Sequence, residues 1–246
     1  MLGNLRPLFQ GHSTLRAVID SVLEGRLGEA RVDDPDSPRT ACLEIGCYAI
    51  FGGDPGAEGA HRLVAAVSPP RELVIPPRDD WRRLLHSTRE GLVDCSMRTY
   101  DAGGLDPERL ASWRETPAAG IAIRPIDSRL ARQLDEGLRP HGLQVFPDAD
   151  AFAAGGLGFG ALDDDRLVCA ATSYAVSTER LEVAISCRTE YRRRGLARAT
   201  AAALLAECLR RGLTPEWSAS NPVSQHLAET LGYRPAGRCE VLVAES

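Results

Sequence analysis

Tyr191-Arg-Arg-Arg-Gly-Leu-Ala-Arg198 is the stretch whose reading decides the fold. It follows the apolar run Leu181-Glu-Val-Ala-Ile-Ser-Cys187 and opens into Leu196-Ala-Arg-Ala-Thr-Ala-Ala-Ala-Leu-Leu-Ala-Glu-Cys-Leu209. β-branched residues suit the first run to a strand and Ala and Leu suit the second to a helix. The junction is therefore predicted to be strand, glycine turn, helix. Glycine lets backbone come close to backbone or ligand. The first turn of a helix carries unpaired N–H groups and the positive end of the helix dipole. An anion, most simply a phosphate, fits there, and the basic side chains around Gly195 add positive potential.

Working outward, the second half reads as alternating strands and helices. Ile121–Asp127 opens as a strand, and Ser128–Gly137 follows as a helix capped by Asp127 or Ser128. Asp148–Ala154 is a short helical piece, and Gly158–Tyr174 is a hairpin turning at Asp163, Asp164 and Asp165. After the long helix, Gly212 is a stop. Pro215–Ser220 is a strand, Asn221-Pro222 starts a helix ending at Gly232, and Arg238–Val243 closes the chain as a strand. The sum is an α/β (α+β) fold, a mixed sheet with helices on its faces. GxxxxGK[ST] and GxGxxG are both absent, which excludes a P-loop enzyme and a dinucleotide Rossmann domain.

The first half is also α/β or α+β in pattern. Helices are predicted at Leu15–Leu23, with Ser13 or Thr14 as cap, and at Glu58–Val67, Asp79–Thr88 and Pro107–Trp113. Ala41–Phe51 reads as a strand or a hairpin broken near Gly46, and strands are predicted at Glu72–Ile75 and Val93–Tyr100. A turn-rich stretch, Glu115–Gly120, places a domain boundary near residue 117, giving units 1–117 and 118–246. No direct sequence repeat is visible, although a first half that is a worn structural copy of the second fits the pattern.

The chain has 246 residues and a formal net charge of -5, which argues against a dedicated nucleic-acid binder. Its seven cysteines form no CxxC pair, so buried free thiols are expected rather than a disulfide framework or zinc site. Asp33, Asp34, Asp36 and Asp54 adjoin Pro and Gly and read as turn residues rather than metal ligands. No metal is expected. No apolar run approaches the ~20 residues of a membrane span and no signal peptide is apparent, so a cytoplasmic protein without membrane contact is expected.

Taken in order, these elements resemble the GNAT superfamily of acetyl-CoA-dependent N-acyltransferases. The family's cradle reads Arg/Gln-x-x-Gly-x-Gly/Ala, which Arg192, Gly195 and Ala197 match, and Leu231-Gly232-Tyr233 resembles its Leu-Gly-Phe. The likeness covers roughly residues 119–246. A narrower likeness, through Asp34–Pro38, Gly53–Pro55, Glu182–Thr189 and Pro215–Asn221, extends to a bacterial GNAT subfamily with an extra N-terminal domain.

The resemblance implies an N-acetyltransferase using acetyl-CoA. Backbone N–H groups of Arg193, Arg194, Gly195, Leu196 and Ala197 would hold the CoA pyrophosphate. Arg192, Arg193, Arg194 and Arg198 either meet phosphates or form a solvated basic face. Backbone of Ile185, Ser186 and Cys187 would pair with the pantetheine arm if the neighbouring strands splay. Asn221 either bonds that arm or caps its helix. Ser224, one turn on, either faces the thiol or packs.

Glu182, a charge in a core strand near the expected thioester end, is the general-base candidate, with Glu216 as a rival and a salt-bridge role as the alternative. The family's tyrosine acid sits four residues before the closing glycine, and here that position is Ala228. Tyr233 and Trp217 are expected to pack, and Cys187 is not expected to act as a nucleophile. The implied acceptor is a small-molecule or peptide amine met directly in a ternary complex. The first half forms either one wall of its pocket or an oligomer interface, such as that of a homodimer. A non-catalytic CoA-binding regulatory or interaction protein is the alternative reading.

Overall fold

The computed structural model describes residues 2–68, 72–76, 78–114, 120–138 and 145–245. The first half contributes α1 (Arg16–Leu23), β1 (Glu29–Val32), β2 (Thr40–Ile45), β3 (Tyr48–Gly53), α2 (Ala60–Ala66), β4 (Glu72–Val74), α3 (Asp79–Thr88), β5 (Leu92–Asp101) and α4 (Pro107–Arg114). The second contributes β6 (Ile121–Pro125), α5 (Ser128–Gly137), α6 (Ala149–Gly155), β7 (Gly158–Asp163), β8 (Arg166–Val176), β9 (Arg180–Cys187), α7 (Leu196–Arg210), β10 (Thr214–Ala219), α8 (Pro222–Leu231) and β11 (Arg234–Ala244). A 3-10 helix at Leu2–Phe9, which the sequence pattern does not signal, precedes α1.

All eleven strands form one sheet in the order β1-β2-β3-β4-β11-β5-β10-β9-β8-β7-β6. It is mixed, as expected: β3–β4 and β9–β10 are parallel and the other neighbours antiparallel. Its centre does not follow chain order. β11, from the end of the chain, lies between β4 and β5, while β5 lies between β11 and β10. The β5–β11 ladder runs from Asp101↔Arg234 to Leu92↔Ala244, so the two halves share their central pair of strands. The boundary expected near residue 117 falls outside the described residues.

Strand alternation sorts the helices onto two faces. Leu181, Val183 and Tyr100 pack with Ala201–Leu205 of α7, with Leu231 of α8 and with Leu110 of α4. On the opposite face, Ala184, Met97, Cys239 and Tyr48 pack with Val18, Ile19 and Val22 of α1. Helices α5 and α6 cover β7 and β8 through Leu130, Leu134 and Phe152.

Side chains cap three of the helix starts through ordinary N-cap chemistry. Asp127, Asp148 and Asn221 accept from the N–H groups of Leu130, Ala151 and Ser224. Helix α1 differs. Neither Ser13 nor Thr14 caps it; Leu15 occupies the cap with φ 54° and makes no side-chain cap bond. Leu15 is fully packed in the core, and the burial of that side chain outweighs the strain of a left-handed non-glycine residue. The aspartates of the first half serve turns: Asp33 accepts from Arg39 and Thr40 N–H, Asp34 from Asp36 and Ser37, and Asp54 from Gly56.

Candidate active site

The site begins where β9 and β10 part. Their parallel pairing runs through Thr214↔Arg180 and Pro215↔Leu181 and ends at Glu216↔Glu182. Trp217, Ser218 and Ala219 then pair with Tyr100, Thr99 and Arg98 of β5. Val183–Cys187 remain paired to β8 alone, so the β10-facing edge of β9 is open. The splay anticipated from the resemblance is therefore present.

Register decides which edge groups face that opening. The Arg188 N–H donates to Val168 O across the pair Cys187↔Cys169. That makes Cys187↔Cys169 a non-hydrogen-bonded pair and its neighbour Ser186↔Ala170 a hydrogen-bonded one. Ser186 accordingly uses its own N–H and C=O in the ladder with β8. Ile185 and Cys187 turn theirs toward the cleft, and the Cys187 carbonyl accepts from Arg192 Nε at 3.4 Å.

At the far end of β9 lies the glycine loop. A single 3-10 turn, Thr189–Tyr191, leads to Arg193 at φ 59° and Gly195 at φ 78°, and α7 starts at Leu196. Among the described residues, no acceptor lies on the backbone N–H groups of residues 193–198. A Cβ built at Gly195 meets only the Arg198 guanidinium, at 3.8 Å, so the space in front of the helix is open. The loop is anchored from below, where the Tyr191 hydroxyl donates to Asp163 at 2.6 Å and Arg188 Nε to Leu167 O at 2.9 Å. The arginines are spread around this mouth. Arg194 lies over the Tyr191 ring and Arg198 over Trp113, while Arg192 and Arg193 are exposed.

At the near end, where the splay starts, Glu182 is 3% exposed and bridges the two strands. Its Oε1 accepts the Ser218 N–H at 3.0 Å, while Oε2 is buried and has no partner among the described residues. Burial, reinforced by the charge of Glu216, pushes its carboxyl up to about 8. Glu216 beside it is raised too, again mainly by burial, but both its oxygens are engaged: Arg180 donates at 3.0 Å and the Ala17 N–H of α1 at 2.9 Å. Alternation puts Thr99 and Ser218 on the same face as Glu182. The Thr99 hydroxyl is buried without a partner among the described residues and looks onto Gly237, which has no side chain. Sequence pattern alone marks Thr99 only as a strand residue, since its nearness to Ser218 arises from pairing between distant segments.

The remaining candidates have defined places. Asn221 is exposed just beyond β10 and caps α8 by accepting the Ser224 N–H at 2.9 Å. The Ser224 hydroxyl accepts from Trp217 Nε1 at 3.0 Å. Ala228 is fully buried, so the position of the family's tyrosine carries only a packed methyl group. Tyr233 packs against Trp217 and donates to Pro215 O. Tyr174 accepts the Cys47 N–H and donates to Ile45 O, which commits its hydroxyl to joining β8 to the β2–β3 turn.

A second parallel pair, β3–β4, also opens, beyond Ile50↔Val74. This opening is filled. His12 Nε2–H donates to Phe51 O at 2.7 Å, Trp81 Nε1 donates to Gly53 O at 3.2 Å, and Phe9 lies where a Cβ on Gly52 would stand. Burial holds His12 neutral, lowering it to about 4. The surface pocket beside this place, lined by Pro7, Gly11, Arg39 and Arg78, does not reach the β9–β10 cleft.

An open strand edge running from a buried carboxylate to a helix-capping glycine loop is the arrangement expected of GNAT enzymes. The model of the family described as GNAT acetyltransferase matches residues 6–242. The chain belongs to the GNAT acetyltransferase family. It is thus an acyltransferase, and the family match extends through the first half as well as the second.

Relatives of this acetyltransferase are similar over nearly their full lengths. It is 25% identical over 228 residues to the uncharacterized N-acetyltransferase YdfB of Bacillus subtilis (strain 168), covering 89% of this chain and 85% of that one. A GCN5-related N-acetyltransferase-like protein from Streptococcus suis 89/1591 has 26% identity and a TM-score of 0.86, with 99% and 98% of the two chains covered. A GCN5-related N-acetyltransferase from Kribbella flavida shares the fold at 18% identity, with a TM-score of 0.61 over 96% and 97% of the chains. Among the described residues of this GNAT chain, no group of acidic, His and Cys side chains is placed to hold a metal. No described helix is long and apolar enough to cross a membrane.

Proposed function

We propose that the chain transfers an acetyl group from acetyl-CoA directly to a primary amine of a small-molecule or peptide acceptor, both substrates being bound together. The observation that carries this reading is the pairing, on one strand, of an unpartnered buried carboxylate oxygen at Glu182 with an unoccupied set of N–H groups beyond Cys187. Acetyl-CoA would supply the acyl group as a thioester. Everything else falls to the protein.

The N–H groups of Arg193–Ala197, at the positive end of α7, suit a pyrophosphate, with Arg192, Arg193 and Arg198 adding charge around it. The N–H and C=O groups of Ile185 and Cys187 suit an extended arm bearing amides, which would add to β9 as a strand adds to a sheet edge. The exposed amide of Asn221 faces the same arm while its oxygen caps α8. Such an arm leads back along β9 toward Glu182.

An amine arrives protonated at neutral pH and must lose a proton before it attacks. Glu182 Oε2 is assigned as the acceptor of that proton. Its raised value brings it close to the working pH, where a general base is most effective. The Thr99 hydroxyl, on the same face and two strands away, is assigned to hold the amine. The Ser224 hydroxyl already accepts from Trp217, so its own proton is directed elsewhere, and it is assigned to the departing sulfur in place of the missing tyrosine.

In this reading the first half is a worn copy of the second. Both contain a parallel strand–helix–strand, β3–α2–β4 and β9–α7–β10, followed by a helix and an antiparallel strand. Its own cleft is blocked by His12 and Trp81, and its strand β5 walls the working one. Calorimetry with CoA and acetyl-CoA tests the proposal. Binding of at least one to the folded protein is expected, and binding of neither would overturn it.

A further inference from the structure

Beneath the glycine loop, two cysteines face each other across neighbouring strands. Cys169 of β8 and Cys187 of β9 are directly opposite in an antiparallel ladder. They form a non-hydrogen-bonded pair, the kind in which Cα atoms approach to about 4.5 Å and side chains lie closest. That separation falls inside the range of about 4.4–6.8 Å that a disulfide spans. Both thiols lie on the α7 face. Cys169 is fully buried, with its sulfur 3.9 Å from Thr200 Oγ1, and Cys187 packs partly buried onto the same cluster.

The two thiols are also electrically unequal. Cys187 is lowered, first by a hydrogen bond from Cys169 and then by the charge of Arg192, with Arg194 assisting against partial burial. Cys169 is raised by that same bond and by burial. Cys187 is thus the more readily ionised of the two and the one that solvent reaches, while Cys169 is held behind it. None of the other five stands opposite a cysteine in the strand pairings. Cys42, Cys208 and Cys239 are buried, Cys47 lies against the Tyr174 hydroxyl, and Cys95 is exposed on β5.

We infer that Cys187 and Cys169 form a dithiol modification site that a hydroperoxide converts to a cross-strand disulfide. The Cys187 thiolate attacks the peroxide, the O–O bond breaks, an alkoxide or hydroxide leaves, and Cys187 becomes a sulfenic acid. Cys169 sulfur then attacks the Cys187 sulfur, expelling the oxygen as water with the Cys169 proton. Two electrons pass from the thiol pair to the peroxide, and two hydrogens leave the protein. This assignment does not depend on what the glycine loop binds.

The test is to treat the folded full-length protein with hydrogen peroxide, block free thiols, digest without reduction and identify linked peptides by mass. A Cys95→Ser background prevents dimers through the exposed thiol. The expected result is a loss of about 2 Da from the intact chain and a Cys169–Cys187 linkage, formed before any other cysteine reacts and reversed by dithiothreitol. Cys187→Ser should abolish the loss. Because Cys169→Ser places a hydroxyl in the core, Cys169→Ala is the second variant; in it Cys187 should stop at the sulfenic acid, trapped by dimedone. Oxidation that leaves Cys187 a free thiol, or that carries it to sulfinic acid in the wild type without a linked peptide, would overturn the inference.

Discussion

Replacing Glu182 with Gln should flatten the acid–base behaviour of both stability and catalysis. The folded chain holds this carboxyl near 8, against an ordinary value of 4.5. Between these pH values the native state keeps a proton that the unfolded chain has released, so stability falls as pH rises through that window and levels off above 8. At about 1.4 kcal/mol per pH unit, the full span is on the order of 5 kcal/mol. Glu216 is raised by the same burial, so the two carboxyls titrate as a pair and the window broadens. Glutamine keeps an oxygen for the Ser218 N–H but carries no titrating proton. Urea unfolding from pH 5 to pH 9 should therefore show wild type and variant nearly equal at the acid end, with the variant gaining by several kcal/mol at the alkaline end. In parallel, wild-type kcat/KM should climb with a midpoint near pH 8 as the base frees its oxygen. The variant should lose that climb and most of kcat, with little change in CoA affinity. A stability difference independent of pH would refute the buried-carboxylate argument, and an unaltered pH–rate profile would remove Glu182 as base.

Gly195→Trp should abolish CoA binding by calorimetry, because the left-handed φ of 78° resists any side chain and the indole would fill the open space before α7. Retained affinity would contradict the loop geometry. Thr99→Val should do two opposite things: removing an unpartnered buried hydroxyl raises thermal stability, while loss of a hydrogen bond to the amine lowers acceptor kcat/KM by about 2- to 10-fold. A drop in stability with unchanged kinetics would make Thr99 purely structural. Asn221→Ala should cost about 1 kcal/mol through loss of the α8 cap, read by urea unfolding, and should also raise the KM for acetyl-CoA. A stability loss alone would leave Asn221 with its capping role only.

Much of this was legible in the chain because it is local. The strand at Leu181–Cys187, the glycine at the mouth of the next helix, the Asp163–Asp165 hairpin and the caps at Asp127 and Asn221 each depend on residues a few positions apart. Periodicity and turn chemistry report such features directly. The Ser13/Thr14 cap failed because a tertiary demand, the burial of Leu15, overrode a local preference. The order of the central strands was hidden for a different reason. Val93–Tyr100 alternates as any half-buried strand does, and nothing in an alternation names the neighbour. Thr99 and Cys169 were missed as site or framework residues on the same ground. Each matters through a partner more than fifteen residues away: Ser218 and Cys187. The Ser186 backbone illustrates a finer limit. A strand can be read from sequence, but which of its residues aim their amides outward is fixed by register with β8.

The exchange of β5 and β11 also accounts for the cleft itself. β10 leaves β9 after Glu216 and is joined on its other edge by β5 from Trp217 onward, so one pairing begins at the residue after the one where the other ends. β5 is in turn held by the long ladder with β11. The residues that keep the β9 edge open thus come from before the glycine loop in the chain, and the strand that fixes them comes from after it. Helix α1 completes the arrangement by giving its Ala17 N–H to Glu216, which leaves Glu182 as the carboxylate with an oxygen to spare. A second half folded alone would have the loop and the helix but neither the strand that draws β10 aside nor the amide that ties Glu216. Strand β5 and helix α1 of the first half are thus part of the cleft's construction.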